Sequence, residues 1–292
     1  MISIIICSVN PILLEKLKAN IVDTIGVNYE IIAIENTKTK YSIAKAYNLG
    51  AESSKYEHLC FIHEDILFHT NNWGQILLNY LQHDDISLIG MFGCLIKSKF
   101  PSGVYSKVEN LNRVHQIQAF DGNMVNYYYN PRDEEFSPVA TVDGMFLACT
   151  KGNWSKNKFD EANPNKFHGY DIDFSLAQQK NGKVVVIYDL LIQHSSFGTY
   201  KKEWIDAQIY IADKWQKSLP VIIDRAKQIH QVENNDLNEF IILLYNHNYM
   251  PKLARKLSRK ILLRRPFQRL TFYIVKNYLK SIFGLDTTFK HP

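Results

Sequence analysis

Three polar side chains that can bind a metal ion follow an apolar run in the segment CFIHEDILF, residues 60–68. His63, Glu64 and Asp65 come directly after this run, although a strand buried on both faces consists almost entirely of apolar residues. Carboxylate and imidazole groups are ligands for divalent cations, and such cations bind diphosphate oxygens. The segment therefore predicts a metal-assisted site at a strand end, with a simple polar cap on the strand as the alternative.

Polar residues also follow the two earlier apolar runs of the chain. Ser8 is the last residue of ISIIICS, and Asn10 follows it by two positions. Glu35 is the last residue of YEIIAIE, and Asn36 follows it directly. Because ligands of open α/β sheets bind outside the carboxyl ends of the strands, we expect these four residues to share a pocket with His63. Neither GxGxxG nor GxxxxGK[ST] follows the first run, which disfavours a dinucleotide-binding fold and a P-loop.

The segment HGYDIDFSLAQQ places two aspartates two positions apart. On a helix, Asp171 and Asp173 diverge by ~200° and cannot face the same ligand. One of them can reach a pocket while the other caps the helix N-terminus, and both can also be caps or surface acids. Asp143 and Gly144 precede an apolar strand in VDGMFLACT, either beside the pocket or in a plain turn.

The elements that must position these residues alternate between strands and helices. Buried-strand patterns occur at residues 2–8, 29–35, 58–62 and 86–93, and helical patterns begin at Pro11 and at residues 41 and 73. This alternation predicts an α/β domain with a mostly parallel sheet covered by helices on both faces. Residues 94–138 lose the pattern and predict an inserted hairpin or an active-site loop. Strand patterns return at 139–150 and 183–194, and amphipathic helices are expected from about residue 201 to 245.

Composition limits the protein class. The chain has 292 residues, 46% of them hydrophobic, which suits one large domain or one domain with an appendage. The N-terminus lacks the basic region of a secretory signal, and no uncharged apolar run approaches the ~18 residues of a membrane span. The four cysteines lie in apolar segments without a CxxC pair, which predicts reduced, packed thiols in a cytoplasmic protein and disfavours a zinc site.

The C-terminal segment is strongly basic. Residues 240–285 contain ten Lys or Arg and no Asp or Glu, and since the whole chain carries +5, the remaining residues carry −5. Leu253, Leu257, Ile261 and Leu262 recur at helical spacing, with basic residues on the remaining surface. A basic helix with an apolar stripe can lie in the interface of an anionic membrane. The alternative is a helical hairpin that packs on the main domain and leaves its bases solvated.

The order of these motifs resembles the GT-A glycosyltransferases, particularly the large family-2-like inverting group. The segments that match its opening strand, acidic end of strand two, A-x-N-x-G helix and DxD strand end are ISIIICSVN, YEIIAIENT, SIAKAYNLGAESS and LCFIHEDI. With HED in place of DxD, followed by VDGMFLACTK, FDE and FHGYDIDFSL, the chain looks like a recognised subgroup of family-2-like proteins. The match covers roughly residues 1–200, and the order of the motifs is more specific than any one of them.

The resemblance implies a domain organisation and a set of site residues. It implies a GT-A (Rossmann-like) domain at 1–200 with an irregular acceptor-side insertion at 94–138, and a helical extension at 201–292 that is basic from about residue 250. It implies a divalent metal, Mn²⁺ or Mg²⁺, bound by Asp65 and His194. His194 matches a late histidine that binds the metal in some relatives, although a lone histidine is as often structural. The residues implied to contact the nucleotide sugar are Ser8, Asn10, Glu35, Asn36, His63, Asp143 and Gly144.

The resemblance also implies the chemistry. Asp171 matches the general base of the family, with Tyr170 in place of the preceding Glu, and Asp173 is the alternative base. An inverting transfer needs one base to deprotonate the acceptor hydroxyl. We therefore expect a transferase that moves a sugar from a nucleotide sugar, with UDP as the expected nucleotide, to a hydroxyl of a glycan or a lipid-linked acceptor.

Two other functions compete with this interpretation. A nucleotidyltransferase of related fold would carry a Gly-rich basic loop after strand one, and SVNPILLEK lacks it. A nucleic-acid-binding protein is indicated only by the basic tail, and the acids at the strand ends would repel phosphates, so no nucleic-acid partner is expected. We expect a cytoplasmic enzyme, peripheral at the inner face of the membrane if the tail contacts anionic lipid.

Overall fold

The computed structural model describes residues 1–120, 122–196, 198, 200–264, 269–283, 285 and 287. The strands are β1 (Ile2–Ser8), β2 (Tyr29–Glu35), β3 (His58–Ile62), β4 (Ile66–Phe68), β5 (Ile86–Gly90), β6 (Phe92–Cys94), β7 (Ile96–Lys97), β8 (Asn112–Phe120), β9 (Asn123–Tyr129), β10 (Phe136–Pro138), β11 (Thr141–Val142), β12 (Phe146–Thr150), β13 (Lys183–Ile187), β14 (Ile192–His194) and β15 (Val221–Ile222). The helices are α1 (Pro11–Thr24), α2 (Ile43–Ser53), α3 (Trp73–Leu81), α4 (Lys151–Lys156), α5 (Tyr170–Gln178), α6 (Lys202–Lys214), α7 (Ile229–Asn246), α8 (Pro251–Arg264) and α9 (Arg269–Ile282).

The main sheet has seven strands in the order β10-β13-β5-β12-β3-β1-β2. Strands β2, β1, β3, β5 and β13 run in one direction, and β12 and β10 run against them. The sequence prediction of a mostly parallel α/β sheet is therefore confirmed. The carboxyl ends of β1, β2 and β3 meet at one edge, because all three strands are parallel and in register.

Helices cover both faces of the main sheet because the apolar side chains of its strands alternate in direction. On one face, Ile4 and Ile6 of β1 pack with Leu17 of α1 and Trp73 of α3. On the other face, Ile5 of β1 packs with residues of α2, α4 and α5. The three first helices occupy nearly the predicted ranges, and α1 begins with Pro11 at its first position and Asn10 as its cap.

A second sheet lies beside the carboxyl edge, in the order β11-β6-β8-β14-β4, with β9 paired to β8. Three predicted strand patterns were too long, because each crosses from one sheet to the other. The pattern at 139–150 divides into β11 of the second sheet and β12 of the main sheet. The pattern at 86–93 divides into β5 and β6 at Met91, and the pattern at 183–194 divides into β13 and β14. Within residues 94–138, expected to be irregular, β8 and β9 form an antiparallel hairpin. The hairpin is thus one of the two forms that the sequence allowed.

The C-terminal helices form their own apolar cluster. Residues of α7, α8 and α9 pack together and against Ile205 of α6. Helix α7 is joined to the insertion by a hydrogen bond of 2.5 Å from Ser98 Oγ to Asp236 Oδ2 and by an ion pair of 3.0 Å between Lys99 and Glu233. Within the described part of the chain, no helix combines the length and the apolar character needed to cross a membrane. Of the residues expected to form the tail stripe, the side chain of Leu262 lies outside the described residues.

Candidate active site

The middle residue of HED joins the ends of β1 and β3. The Glu64 carboxylate accepts hydrogen bonds from Ser8 Oγ at 2.7 Å and from the backbone N–H groups of Val9 and Asn10 at 3.0–3.2 Å. The Asn10 side chain caps α1. Ser8 and Asn10, which we expected to bind the nucleotide sugar, therefore make structural contacts that shape this edge. The role of Glu64 was not predicted, because its partners are more than fifty residues away in the sequence.

The two outer residues of HED form a cluster with His194. Asp65 Oδ1 lies 3.5 Å from His194 Nε2 and 3.9 Å from His63 Nδ1. One ligand atom from each residue can be chosen so that all lie within 4.8 Å of one another. The register produces this cluster, since β14 pairs with β4 so that His194 lies opposite Ile66, beside Asp65. Two imidazoles and one carboxylate form a donor set that suits Mn²⁺ and related divalent cations, so these residues fit the metal that the sequence predicted.

Gln118 on β8 orients His194. Its side-chain N–H donates to the Ser196 carbonyl at 2.6 Å, so its Oε1 faces His194 Nδ1, at 3.1 Å, and must accept the proton there. Protonated His194 directs its Nε2–H at Asp65, and once it loses that proton the Nε2 lone pair is directed to the same side, where a ligand can bind. Such an outer hydrogen bond fixes the tautomer and the ring orientation of a metal-binding histidine. Gln118 lies in the region without a clear pattern, and only the alternation of Gln116 and Gln118 could have indicated it.

Tyr170 orients His63 in the same way. The Tyr170 hydroxyl donates to the Gly144 carbonyl at 3.1 Å, so it can accept at 2.6 Å from His63 Nε2. His63 Nδ1 is then free on the side of Asp65. Gly144 is required for this contact, because a Cβ atom there would lie 2.2 Å from the Tyr170 oxygen. The close approach at Gly144 is thus made by Tyr170.

The electrostatics of the cluster follow from these contacts. Burial raises the pKa of Asp65, but the hydrogen bond and charge of His194 outweigh burial and hold the pKa below its ordinary value. Burial lowers the pKa of His194, and Asp65 reverses that effect, so the net direction is upward. Burial and the neighbouring His194 lower the pKa of His63. Asp65 is therefore ionised at neutral pH, as a metal ligand must be.

Asp171 lies at the start of α5, close to Asp143. Gly169, the N-cap residue directly before the helix, has φ of +81°, a conformation that glycine adopts at little cost. The helix packs on β11 through a hydrogen bond of 3.1 Å from the Val142 N–H to Ser175 Oγ. Because Asp143 directly follows Val142, this contact brings Asp171 close to Asp143. Burial and the charge of Asp143 raise the pKa of Asp171 to about 7. A carboxylate with such a pKa can accept a proton near neutral pH.

Asp173 lies away from this site. It is only 2% exposed, and its carboxylate accepts hydrogen bonds from Trp215 Nε1 at 2.6 Å and from Lys214 Nζ at 2.9 Å. Lys214 is the last residue of α6 and Trp215 directly follows it, so Asp173 fastens α5 to α6. Its carboxylate is fully engaged there, and of the two aspartates only Asp171 is placed beside Asp143.

The last residue of β2 and the residue that follows it have different surroundings. Asn36 is 2% exposed, and its side chain bonds to the backbone of Tyr41 at 2.7 and 3.0 Å, so it shapes the loop that follows β2. Glu35 is exposed, and the hydrogen bond from Thr37 lowers its pKa. Glu35 is thus an exposed charged group at the carboxyl end of β2, whereas Asn36 has a structural role.

Asp143 lies between the second sheet and the cluster. Its N–H donates to the Phe92 carbonyl at 2.9 Å, and its Oδ1 accepts from the Met145 N–H at 3.0 Å. This turn directs Asp143 into the same electrostatic neighbourhood as His63, His194 and Asp171. Asp143 is therefore part of a turn and also lies near the His63, Asp65 and His194 cluster and Asp171.

Comparison with known proteins identifies the family. A family model described as "Glycosyltransferase like family" matches residues 3–225, which run from β1 to just after β15. The chain belongs to this family. Among solved structures, that of GalNAc-T7 with UDP, GalNAc and Mn²⁺ is similar, with a TM-score of 0.51 and 11% sequence identity. The alignment covers 91% of this chain but only 58% of the other, so the chain spans less than two thirds of that length. No curated protein matches the sequence.

This glycosyltransferase has the GT-A fold that the sequence predicted, and the structural likeness supports that fold alone. Membership of this family supports glycosyl transfer over the two competing functions. The GT-A domain presents its His63, Asp65 and His194 cluster and its Asp171 at the carboxyl edge of the sheet, where ligands of such sheets bind.

Proposed function

We propose that this glycosyltransferase is an inverting, metal-assisted enzyme that transfers a sugar from a UDP-sugar to an acceptor hydroxyl. The observation that carries the proposal is the combination, at one sheet edge, of a His-Asp-His cluster with an aspartate whose pKa is raised to about 7. Transfer from a diphosphate needs a cation on the leaving group and a base on the attacking hydroxyl. The His-Asp-His cluster would hold the cation, and the aspartate with the raised pKa would be the base.

The metal-binding residues would be His63, Asp65 and His194. A divalent cation held there would neutralise the charge that develops on the departing diphosphate. Gln118 and Tyr170 hold the two imidazoles in the tautomers that leave one nitrogen of each directed at Asp65. The two imidazole nitrogens favour Mn²⁺ over Mg²⁺, because Mg²⁺ prefers oxygen ligands.

Asp171 would act as the base. Ionised Asp171 would take the proton of the acceptor hydroxyl as that oxygen attacks the anomeric carbon, and the diphosphate would leave from the opposite face. The configuration at the anomeric carbon is then inverted. Burial and the charge of Asp143 keep the pKa of Asp171 close to physiological pH, and Asp143 would contact the donor sugar.

The acceptor would approach from the side of the insertion at 94–138. The hairpin of β8 and β9 exposes Tyr127, whose register partner Gln116 lies on the same face as Gln118. Exposed aromatic rings of this kind can stack on sugar rings. We place a glycan or lipid-linked acceptor there, with the catalytic domain at 1–200, the extension at 201–292, and the enzyme at the cytoplasmic face of the membrane.

Thermal shift with a set of nucleotide sugars, with and without Mn²⁺, tests the proposal. We expect Mn²⁺ to raise the melting temperature with a UDP-sugar in the wild-type protein, and Asp65→Ala to remove that increase while the protein stays folded. Asp213→Ala, at an exposed acid outside the site, is the matched control. An unchanged response of folded Asp65→Ala to UDP-sugar and Mn²⁺ would refute the metal assignment.

A further inference from the structure

Helix α9 carries an apolar stripe on the side that faces away from the protein. Phe272, Leu279 and Phe283 are 64%, 48% and 73% exposed. Together with exposed Lys276 they recur every three or four residues, so they occupy one face of the helix. Phe283 lies one residue past the helix, and its N–H donates to the Leu279 carbonyl at 3.2 Å, which continues the turn. Buried Ile274 lies on the opposite face.

Helix α8 presents a different surface. Its own apolar residues Leu253, Leu257 and Ile261 pack in the cluster with α7, so this stripe is not available to a membrane. Its exposed residues include Lys252, Lys256, Arg259 and Lys260. Packing as a helical hairpin therefore accounts for the stripe of α8, and among the described residues the exposed apolar surface of this region belongs to α9.

Two arginines hold the helices side by side. Arg255 Nη1 donates to Ser281 Oγ at 2.9 Å, and Arg259 Nε donates to Tyr278 Oη at 3.0 Å. The bonded face of α9 is roughly opposite its apolar stripe, because Ser281 and Ile274 lie on the same side of the helix. The apolar stripe of α9 therefore faces away from α8, which lies behind it.

We infer that the outer face of α9 forms a docking surface for an anionic lipid bilayer. Phe272, Leu279 and Phe283 would enter the interface. Lys276 on the same face and the exposed lysines of the neighbouring α8 would attract the lipid phosphates. An apolar stripe beside a basic face is the pattern of helices that lie in the membrane interface. Attraction between the basic residues and an anionic leaflet adds to the burial of the stripe.

Charge argues against a second copy of this chain as the occupant. The segment 240–285 carries ten positive charges and no acidic residue, so pairing two copies through this surface would bring like charges together. The stripe itself includes Lys276. An anionic surface is the partner that such a segment complements.

The surface is connected to the catalytic side of the protein. Helices α8 and α9 pack on α7, and α7 bonds to the insertion through Asp236 and Glu233. Docking would therefore hold the acceptor side at a fixed relation to the lipid surface. The inference itself does not depend on the proposed chemistry, because vesicle binding is measured without substrate.

Vesicle flotation of the full chain at low salt tests this inference. We expect flotation with phosphatidylcholine vesicles that contain phosphatidylglycerol, and none with phosphatidylcholine alone or at high salt. The double variant Phe272→Ser with Leu279→Ser should lower the partition coefficient at least about tenfold, since two apolar side chains are withdrawn from the interface. Ile12→Ser with Val22→Ser, at exposed apolar residues of α1, should float like the wild type.

A charge pair of variants separates the electrostatic contribution. Lys256→Gln with Lys276→Gln should weaken flotation, whereas Lys16→Gln with Lys217→Gln, which removes the same charge elsewhere, should not. Equal loss in both pairs, equal flotation of the stripe variant and the wild type, or no flotation at all would overturn the inference. A wild-type dimer that the stripe variant converts to a monomer, with no vesicle binding, would assign the stripe to self-association instead.

Discussion

The contact between Gln118 and His194 allows a quantitative test of the metal site. Gln118→Met keeps the length of the side chain but removes the oxygen that accepts from His194 Nδ1 at 3.1 Å. One such hydrogen bond contributes about 0.5–1.5 kcal/mol. At about 1.36 kcal/mol for each factor of ten, its loss corresponds to roughly a 2- to 13-fold weaker affinity for Mn²⁺. Outer-sphere partners of metal-binding histidines usually lie at or above the top of that range, so we expect about tenfold.

The affinity is measured by titrating Mn²⁺ into the protein and following free Mn²⁺ by electron paramagnetic resonance. Gln118→Glu keeps an acceptor for His194 and should retain more affinity than Gln118→Met. Gln193→Met is the matched control, because Gln193 precedes His194 on β14 but bonds to His69. Equal affinities for wild type and folded Gln118→Met would refute the proposed orientation of His194, as would an equal loss in the control.

Three further changes test the surroundings of the site. Because the base must be ionised and the pKa of Asp171 is about 7, kcat/KM should fall as pH drops below about 7, and Asp143→Asn should move that limb to lower pH; an unmoved limb in the pH profile would contradict the coupling. Gly144→Ala should displace Tyr170, weaken Mn²⁺ binding and destabilise the fold by about 1–3 kcal/mol in urea unfolding, and a wild-type response would show that the ring is not confined. Asp173→Asn should destabilise the protein by about 1.5–3 kcal/mol with Mn²⁺ affinity unchanged, since the residue fastens two helices, and weaker Mn²⁺ binding would place it in the site.

The sequence predicted the central strands well. Residues 2–8, 29–35 and 58–62 form strands with the expected bounds, because continuous apolar runs between turn residues specify strands. The strands at 2–8 and 58–62 are buried on both faces, whereas 29–35 forms the half-buried edge strand. The long strand patterns at 86–93, 139–150 and 183–194 were wrong, since burial continues where the chain passes from one sheet to the next. Periodicity cannot distinguish these cases, because both environments favour the same apolar residues.

The candidate site was predicted less evenly. The motifs implied a metal at Asp65 and His194 and a contact of His63 with the nucleotide sugar, whereas the structure brings all three residues together in one cluster. The contacts of Glu64 and Gln118 could not be predicted, because they depend on the pairing of segments that are distant in sequence. Side-chain partners of this kind follow from sheet register, which a single sequence does not specify for polar strands such as β8.

The stereochemistry of donor cleavage tests the central claim most directly. Proton nuclear magnetic resonance of the reaction with a UDP-α-sugar and Mn²⁺, with water as the acceptor where no glycan is supplied, distinguishes the first anomer released. We predict the β-anomer first, at a rate that Asp171→Asn lowers roughly a hundredfold or more while UDP-sugar affinity is kept. Release of the α-anomer first, or full activity of folded Asp171→Asn, would contradict an inverting transfer with Asp171 as the base.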